Sequence, residues 1–367
     1  MKILLLSCST GEGHNHCALA VKEALDARGH ETSFLDMLHM FGDPGPLSFD
    51  KILNRISTKA PDVFGMMYHA GAMYSATGVT SPVYMANIRH ARQLNAFIRD
   101  NGYDAVVCSH LFPMETLTFL RRWERCDVKC CGILSDYTCI PFLAETDLDA
   151  YFLPHSEVRE LCIQAGMPAE KLIVSGMPVA ARFLAPMDKA AARAALGLPA
   201  DKKIYLIMTG GIGCGDAVSL CDAIRRVPDE NALLCVLPGR NEALQQALED
   251  AYHGQGVLTV PFTDQVPAYM HAADVLLSKA GGISSSEAAM LGVPLVHTMA
   301  IPGVETENAA FFARHGLSFF ARNVDEAARF ADRLIYDPVC AERMLTAQSA
   351  CLPRDGAEQI AAAITAQ

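Results

Sequence analysis

The sequence has no Cys-x-x-Cys pair, a single tryptophan, and no unbroken apolar run long enough to cross a bilayer. Its 13 cysteines are scattered, mostly inside apolar stretches such as those around Cys8, Cys108 and Cys235. Without paired spacing they offer no zinc or dithiol redox site, and in a chain of 367 residues they are no disulfide scaffold. An odd count of separate thiols fits a reducing cytosol. Charge is sparse too: 19% of the residues are charged, and 30 cations face 41 acids. The resulting net charge of -11 argues against nucleic acid as the main partner. The opening Met1-Lys2-Ile3-Leu4-Leu5-Leu6 is too short for a signal-peptide core and reads as a first strand. Segment 288–304 is apolar but broken by Gly292, Pro294, His297, Pro302 and Gly303, so any membrane contact has to be peripheral. Internal repeats and low-complexity tracts are absent.

What is present is apolar material in a regular arrangement. Hydrophobic residues make up 51% of the chain and mean hydropathy is +0.18, ample for sizeable cores. The length suits two domains. Short apolar runs alternate with longer amphipathic stretches, the pattern of βαβ units in the α/β class. Strands are expected near 2–7, 32–36, 104–108, 130–134 and 150–153, and again near 203–208, 232–237, 257–260, 274–277 and 293–297. A helix over about 14–28 stops at Gly29. Segment 176–202, holding Gly176, Pro178, Pro186 and Pro199, reads as a linker. The expectation is two doubly wound Rossmann-like domains facing a cleft, 1–180 and 181–350, with a final helical segment 351–367 able to pack back on the first. Ligands then belong at the carboxyl ends of the strands.

Three glycine-rich turns leave strands and open helices. The first is Ser9-Thr10-Gly11-Glu12-Gly13-His14, where Gly11 and Gly13 would let the backbone turn tightly toward a ligand. With Asp36 ending the next strand it also fits part of a dinucleotide fingerprint, although His16 fills the third glycine position. That supports an NAD-linked oxidoreductase as a rival reading. His14, at the first turn of a helix, is kept neutral by the dipole and is suited to accept a proton. A purely local hydrogen bond is the structural alternative. The second turn, Thr209-Gly210-Gly211-Ile212-Gly213-Cys214-Gly215-Asp216, could cradle a phosphate with its amides, or be only a tight turn. No Lys-Ser/Thr follows, so it is not a Walker motif. In the third, Lys279 and the amides of Gly281 and Gly282 could hold a diphosphate. Glu287 there either accepts hydrogen bonds from ribose hydroxyls or completes a capping box with Ser284.

Taken in order, the motifs are Ser9-x-Gly11-x-Gly13-His14, Ser135-Asp136-Tyr137, Gly176-Met177-Pro178-Val179, Gly210-Gly211-x-Gly213-x-Gly215 and Gly239-Arg240-Asn241. Phe262-Thr263, Lys279-Ala280-Gly281-Gly282-x-Ser284-x-Ser286-Glu287-Ala288 and Ile301-Pro302-Gly303-x-Glu305-x-x-Asn308 follow. The series resembles glycosyltransferase family 28, especially the monogalactosyl- and processive glucosyl-diacylglycerol synthases. The resemblance implies a GT-B fold, an inverting transfer of a hexose from a UDP-sugar to diacylglycerol, and neither metal nor cofactor. A lipid-linked cell-wall intermediate is an alternative acceptor, and a non-catalytic UDP-sugar sensor an alternative role. It implies that Gly210, Gly211, Gly213, Gly215, Lys279, Gly281, Gly282 and Ser284 surround the diphosphate. Arg240 would lie near the uridine or diphosphate, Phe262 by the uracil, Glu287 at the ribose, and Glu305 and Asn308 at the donor sugar. His14 would face the acceptor hydroxyl as base, with Asp136 as second candidate. Ala280 stands where many relatives carry proline, and Val304 where glutamine or similar is common, which bears on sugar choice.

One basic stretch sits inside the acidic chain. Segment 51–99 carries Lys51, Arg55, Lys59, Arg89, Arg92 and Arg99 against Asp62 alone. Between them lie Val63, Phe64, Met66, Met67, Tyr68, Met73, Tyr74, Val83, Tyr84 and Met85. Such a surface would attract anionic lipid and then insert, placing the protein peripherally on the inner face of the cell membrane; an ordinary helical core face is the alternative. Trp123, beside Arg121, Arg122 and Arg125, could add to this surface, but packing as a helix-end residue on its own domain is the expectation. Buried packing is likewise expected for Cys126, Cys130 and Cys131.

Overall fold

The computed structural model describes residues 1–9, 12–40, 56, 60–124, 126–211, 213, 215–227 and 229–366. Gly11, Lys51, Arg55, Lys59 and Arg125 lie outside the described residues. The chain divides into two compact units. Residues 1–181, 301–304 and 353–367 form the first, and 182–300 with 305–352 the second, so the division falls inside the glycine- and proline-marked segment 176–202.

Strands β1 (Lys2–Ser7), β2 (Glu31–Asp36), β3 (Ala105–Cys108), β4 (Lys129–Ile133), β5 (Ala150–Leu153) and β6 (Leu172–Val174) build the first sheet. They are all parallel, in the order β2-β1-β3-β4-β5-β6. The second sheet comprises β7 (Lys203–Met208), β8 (Ala232–Leu237), β9 (Val257–Thr259), β10 (Val275–Lys279), β11 (Leu295–Met299) and β12 (Phe319–Phe320). Its order is β12-β11-β10-β7-β8-β9, again all parallel. Ile3 to Leu6 are wholly buried, because a parallel strand covered by helices on both faces needs apolar side chains on each. β6 and β12 were not among the expected strands. They are only three and two residues long, and Ile173, Val174 and Phe320 are exposed, so neither makes an apolar run.

Strand order fixes where ligands can enter. The first sheet reverses direction between β1 and β3, the second between β7 and β10. At such a switch point the crossovers leave toward opposite faces and open a crevice at the carboxyl ends. The β1 and β3 turns in one sheet, and the β7 and β10 turns in the other, flank these crevices.

The last helix, Gly356–Thr365, packs on helix Glu12–Ala27, and Ile360, Ala361 and Ile364 join the core around Ile3, Leu5 and Val21. This explains part of the Gly176-Met177-Pro178 motif. A Cβ on Gly356 would meet the Met177 carbonyl at 2.5 Å, and one on Gly176 would meet Pro353 at 2.7 Å. Glycine at both positions lets the returning chain press against residues 176–177.

Candidate functional site

At the first switch point, helix Glu12–Ala27 begins two residues before its expected start, which puts both Gly13 and His14 in its first turn. His14 Nδ1 donates to the Ser109 carbonyl, 2.9 Å away, just beyond β3. A carbonyl only accepts, so the hydrogen of this bond sits on Nδ1. The Ser135 hydroxyl lies 3.0 Å from the same Nδ1 and donates to Asp136 at 3.2 Å. Asp136 is therefore linked to the imidazole through one hydroxyl, on the Nδ1 side of the ring. His110 packs edge to face on His14 with ring centres 4.6 Å apart, and its own Nδ1 accepts from the Phe112 amide. Burial, with the neighbouring His14 ring, holds His110 well below the usual histidine range, so it stays neutral.

Asp36, the residue the dinucleotide reading needs at the ribose, is engaged elsewhere. One carboxylate oxygen accepts from the Ser9 amide and hydroxyl, the other from the Leu38 amide. These bonds tie the β1 turn to the end of β2. The oxidoreductase reading loses its ribose acid.

At the second switch point three loops converge. Gly210, Gly213 and Gly215 all have positive φ, as does Gly239 in the loop after β8. A Cβ on Gly239 would fall 2.3 Å from the Gly210 carbonyl, so only glycine permits that approach. The Arg240 amide donates to Gly211 and the Asn241 side chain to Gly213, at 3.0 and 2.9 Å, pinning the two loops together. The Arg240 guanidinium lies 4.1 Å above the exposed Phe262 ring, a flat cationic and aromatic pair.

Lys279 reaches this point because β10 and β11 shift register between Ser278 and Lys279, a bulge that re-aims the side chain. Its stem runs so close to Gly210 that a Cβ there would strike Cε at 2.8 Å. A Cβ on Gly281 would lie 3.3 Å from Ser284 Oγ and 3.4 Å from Lys279 Nζ. The ammonium thus sits over the start of helix Gly282–Leu291, where backbone amides favour an anion. It is paired there with the Glu305 carboxylate, and both groups are largely buried. Asn308, fully buried, donates to the Ala280 carbonyl at 3.2 Å and so braces the turn from beneath.

Two expectations need correction. The capping-box reading of Ser284 and Glu287 fails, since that helix is capped by Gly281 and Glu287 is buried in its middle. Burial, against a weak pull from Arg182, pushes the Glu287 carboxyl up to about 8. Trp123 is not packed on its domain: it is 72% exposed, lining a cavity of about 150 Å³ with Thr80, Tyr84, Arg122 and Glu145. In the apolar stretch, helix Pro61–Ser75 buries only Gly65, while Val63, Met66, Met67, Met73 and Tyr74 are exposed, as is Met85 beyond it. That is no core face. Tyr84 is buried, and Phe64, Tyr68 and Val83 are half-buried.

Sequence reasoning did not single out Ser109, His110 or Asn241 as site residues. Ser109 and His110 directly follow a buried strand, the position a switch point uses, but the strand order that makes them neighbours of His14 is not a local property.

A family model described as monogalactosyldiacylglycerol (MGDG) synthase matches residues 14–179, and the glycosyltransferase family 28 C-terminal domain matches 217–328. A processive diacylglycerol beta-glucosyltransferase of Bacillus cereus is 26% identical over 372 aligned positions, covering 100% of this chain and 94% of that one. Among solved structures, Acinetobacter baumannii MurG superposes with a TM-score of 0.64 at 16% identity, covering 99% of both chains. A UDP co-structure of S. aureus MnaA gives 0.67 at 13% identity, covering 98% of this chain and 94% of that one. At these identities the structural likeness speaks for the fold alone, which is GT-B. Among the described residues no helix is long and apolar enough to cross a membrane.

Proposed function

We propose that the chain belongs to glycosyltransferase family 28 and moves a hexose from a UDP-sugar to diacylglycerol at a membrane surface, with inversion. The observation that supports this reading is the second switch point, where Lys279 stands over the start of helix Gly282–Leu291 beside the left-handed glycines of the β7 and β8 turns, an arrangement suited to a diphosphate. In that site Gly210, Gly211, Gly213, Gly215, Gly281, Gly282, Ser284 and Lys279 hold the diphosphate, and Arg240 and Phe262 take the uridine. Glu287 meets the ribose, and Glu305 the sugar hydroxyls. Asn308 positions the turn.

The work divides by domain. The departing UDP gains negative charge as the glycosidic bond breaks, and preorganised amides with a cation stabilise that charge without rearranging. The acceptor hydroxyl has to lose its proton as it attacks. His14, with Nδ1 committed to Ser109, presents the lone pair of Nε2 for that proton. Asp136, acting through Ser135, supports the imidazolium that results.

The exposed methionines and Tyr74 of helix Pro61–Ser75, with Met85 and Trp123, supply an apolar face for the bilayer, flanked by Arg89, Arg92 and Arg99. That supports a peripheral place on the cytoplasmic leaflet, with anionic lipid favoured. The test is a thin-layer assay of UDP-glucose, UDP-galactose and UDP-N-acetylglucosamine with diacylglycerol in vesicles. Product with one donor and diacylglycerol is expected, while no turnover with any of the three would overturn the reading.

A further inference from the structure

Helix Pro61–Ser75 has two unlike faces. Val63, Met66, Met67, Met73 and Tyr74 are exposed, whereas Gly65 is buried and Phe64, Tyr68, Gly71, Ala72 and Ser75 are half-buried. The second set recurs every three or four residues and so makes one stripe along the helix. Two loops of the same unit are seated on that stripe. At its far end a Cβ on Gly71 would lie 3.4 Å from the Phe142 ring, and the Phe142 amide donates to the Ser75 hydroxyl at 2.9 Å. At its near end the fit is closer. A Cβ on Gly65 would strike Pro302 Cβ at 2.7 Å, and one on Gly303 would strike the Tyr68 ring at 2.7 Å. Gly303 also has φ 106°, a conformation that glycine alone adopts freely. The helix thus forgoes a side chain at Gly65 to admit Pro302, and the loop forgoes one at Gly303 to admit Tyr68. Residues 301–304 group with the first unit, and helix Val304–Arg314 opens at their end with Glu305 in its first turn.

We infer that Tyr68 is a positioning residue for the donor sugar. The inference rests on the proposed donor site, in which Glu305 meets the sugar hydroxyls. Packed on Gly303, the Tyr68 ring fixes where helix Val304–Arg314 begins, and hence where the Glu305 carboxylate stands. A displacement of about 1 Å is enough to spoil such a contact. Tyr68 acts through Gly303 and Glu305, not on the reacting atoms. The covered stripe of the helix therefore serves the donor, while its exposed methionines serve the bilayer. UDP has no hexose for Glu305 to meet, so losing this support costs the donor and spares the nucleotide.

Steady-state kinetics at saturating diacylglycerol vesicles, with the UDP-hexose that proves to be the donor, test this on the full chain alongside calorimetry with UDP. Tyr68→Ala takes the ring away from Gly303. It should raise the KM for the donor about tenfold, roughly the worth of one hydrogen bond to a charged group. The kcat should change far less, the mark of lost ground-state binding, and UDP affinity should stay within about threefold of the parent's. Gly65→Ala leaves every existing side chain in place and displaces only Pro302, so the donor KM should rise again with UDP affinity held. Should a thermal melt show that Tyr68→Ala does not fold, Gly65→Ala carries the same test. An unchanged donor KM overturns the role. Equal weakening of donor and UDP also overturns it, because the whole site and not the sugar contact would then have been lost. Failure of the unaltered protein to bind UDP at all overturns the donor-site reading instead.

Discussion

The two switch points share a backbone plan and differ in what they do with charge. At the first, a parallel sheet delivers an imidazole whose neighbours are a carbonyl, a hydroxyl and a second imidazole that burial keeps neutral. At the second, the same kind of crevice carries an ion pair and a set of turns with left-handed glycines. On the proposed function the first moves a proton and the second receives a doubly charged group. The lesson is that strand order places the crevice, and the residues in the turns decide its chemistry.

The comparison is broken most sharply at His14. His14→Ala should lower turnover by about 10²–10⁴, the usual worth of a positioned base, while UDP affinity by calorimetry stays near that of the parent. Near-normal turnover would take the proton step away from this residue. Lys279→Met should do the reverse, weakening UDP binding roughly ten- to a hundredfold, as expected on losing a hydrogen bond to a charged group. A variant that binds UDP as before would mean that the amides suffice.

Smaller effects sharpen the contrast. Ser135→Ala cuts the link from His14 to Asp136 and should lower turnover several-fold while shifting its pH profile; donor affinity should not move. An unchanged profile would leave Asp136 without a part in the chemistry. The smallest effect is on stability at Glu287. Its carboxyl titrates near 8 when folded and near 4.5 when unfolded, so between those values the folded chain holds a proton that the unfolded chain has released. This group therefore makes stability fall as pH rises from about 4.5 to about 8. Glu287→Gln should flatten that part of the denaturation midpoint against pH, and an unaltered slope would show that the carboxyl is not held protonated.

Much of this was legible along the chain. Fully buried parallel strands write themselves as short apolar runs, so β1, β7 and β8 stood out, and the glycine turns that follow β1, β7 and β10 marked both crevices. The diminutive edge strands β6 and β12 did not, because an exposed strand of two or three residues carries no apolar run. The exposure of Trp123 is hidden for a related reason: a helix-end aromatic looks the same in sequence whether or not something covers it. Ser284-x-x-Glu287 leaves a cap open as the alternative to a ribose contact because spacing alone cannot tell that the helix starts at Gly281 and that Glu287 faces the interior.

Sequence alone determined the repeating strand–turn–helix units, the glycines at their mouths and the apolar, cation-flanked helix, because each is a matter of residues near one another in the chain. Folding decided the tautomer of His14, set by partners 95 and 121 residues away, and the embrace of Lys279 and Glu305 across 26. Those relations depend on which strands lie side by side, and strand order comes from the packing of whole crossovers rather than from any local pattern.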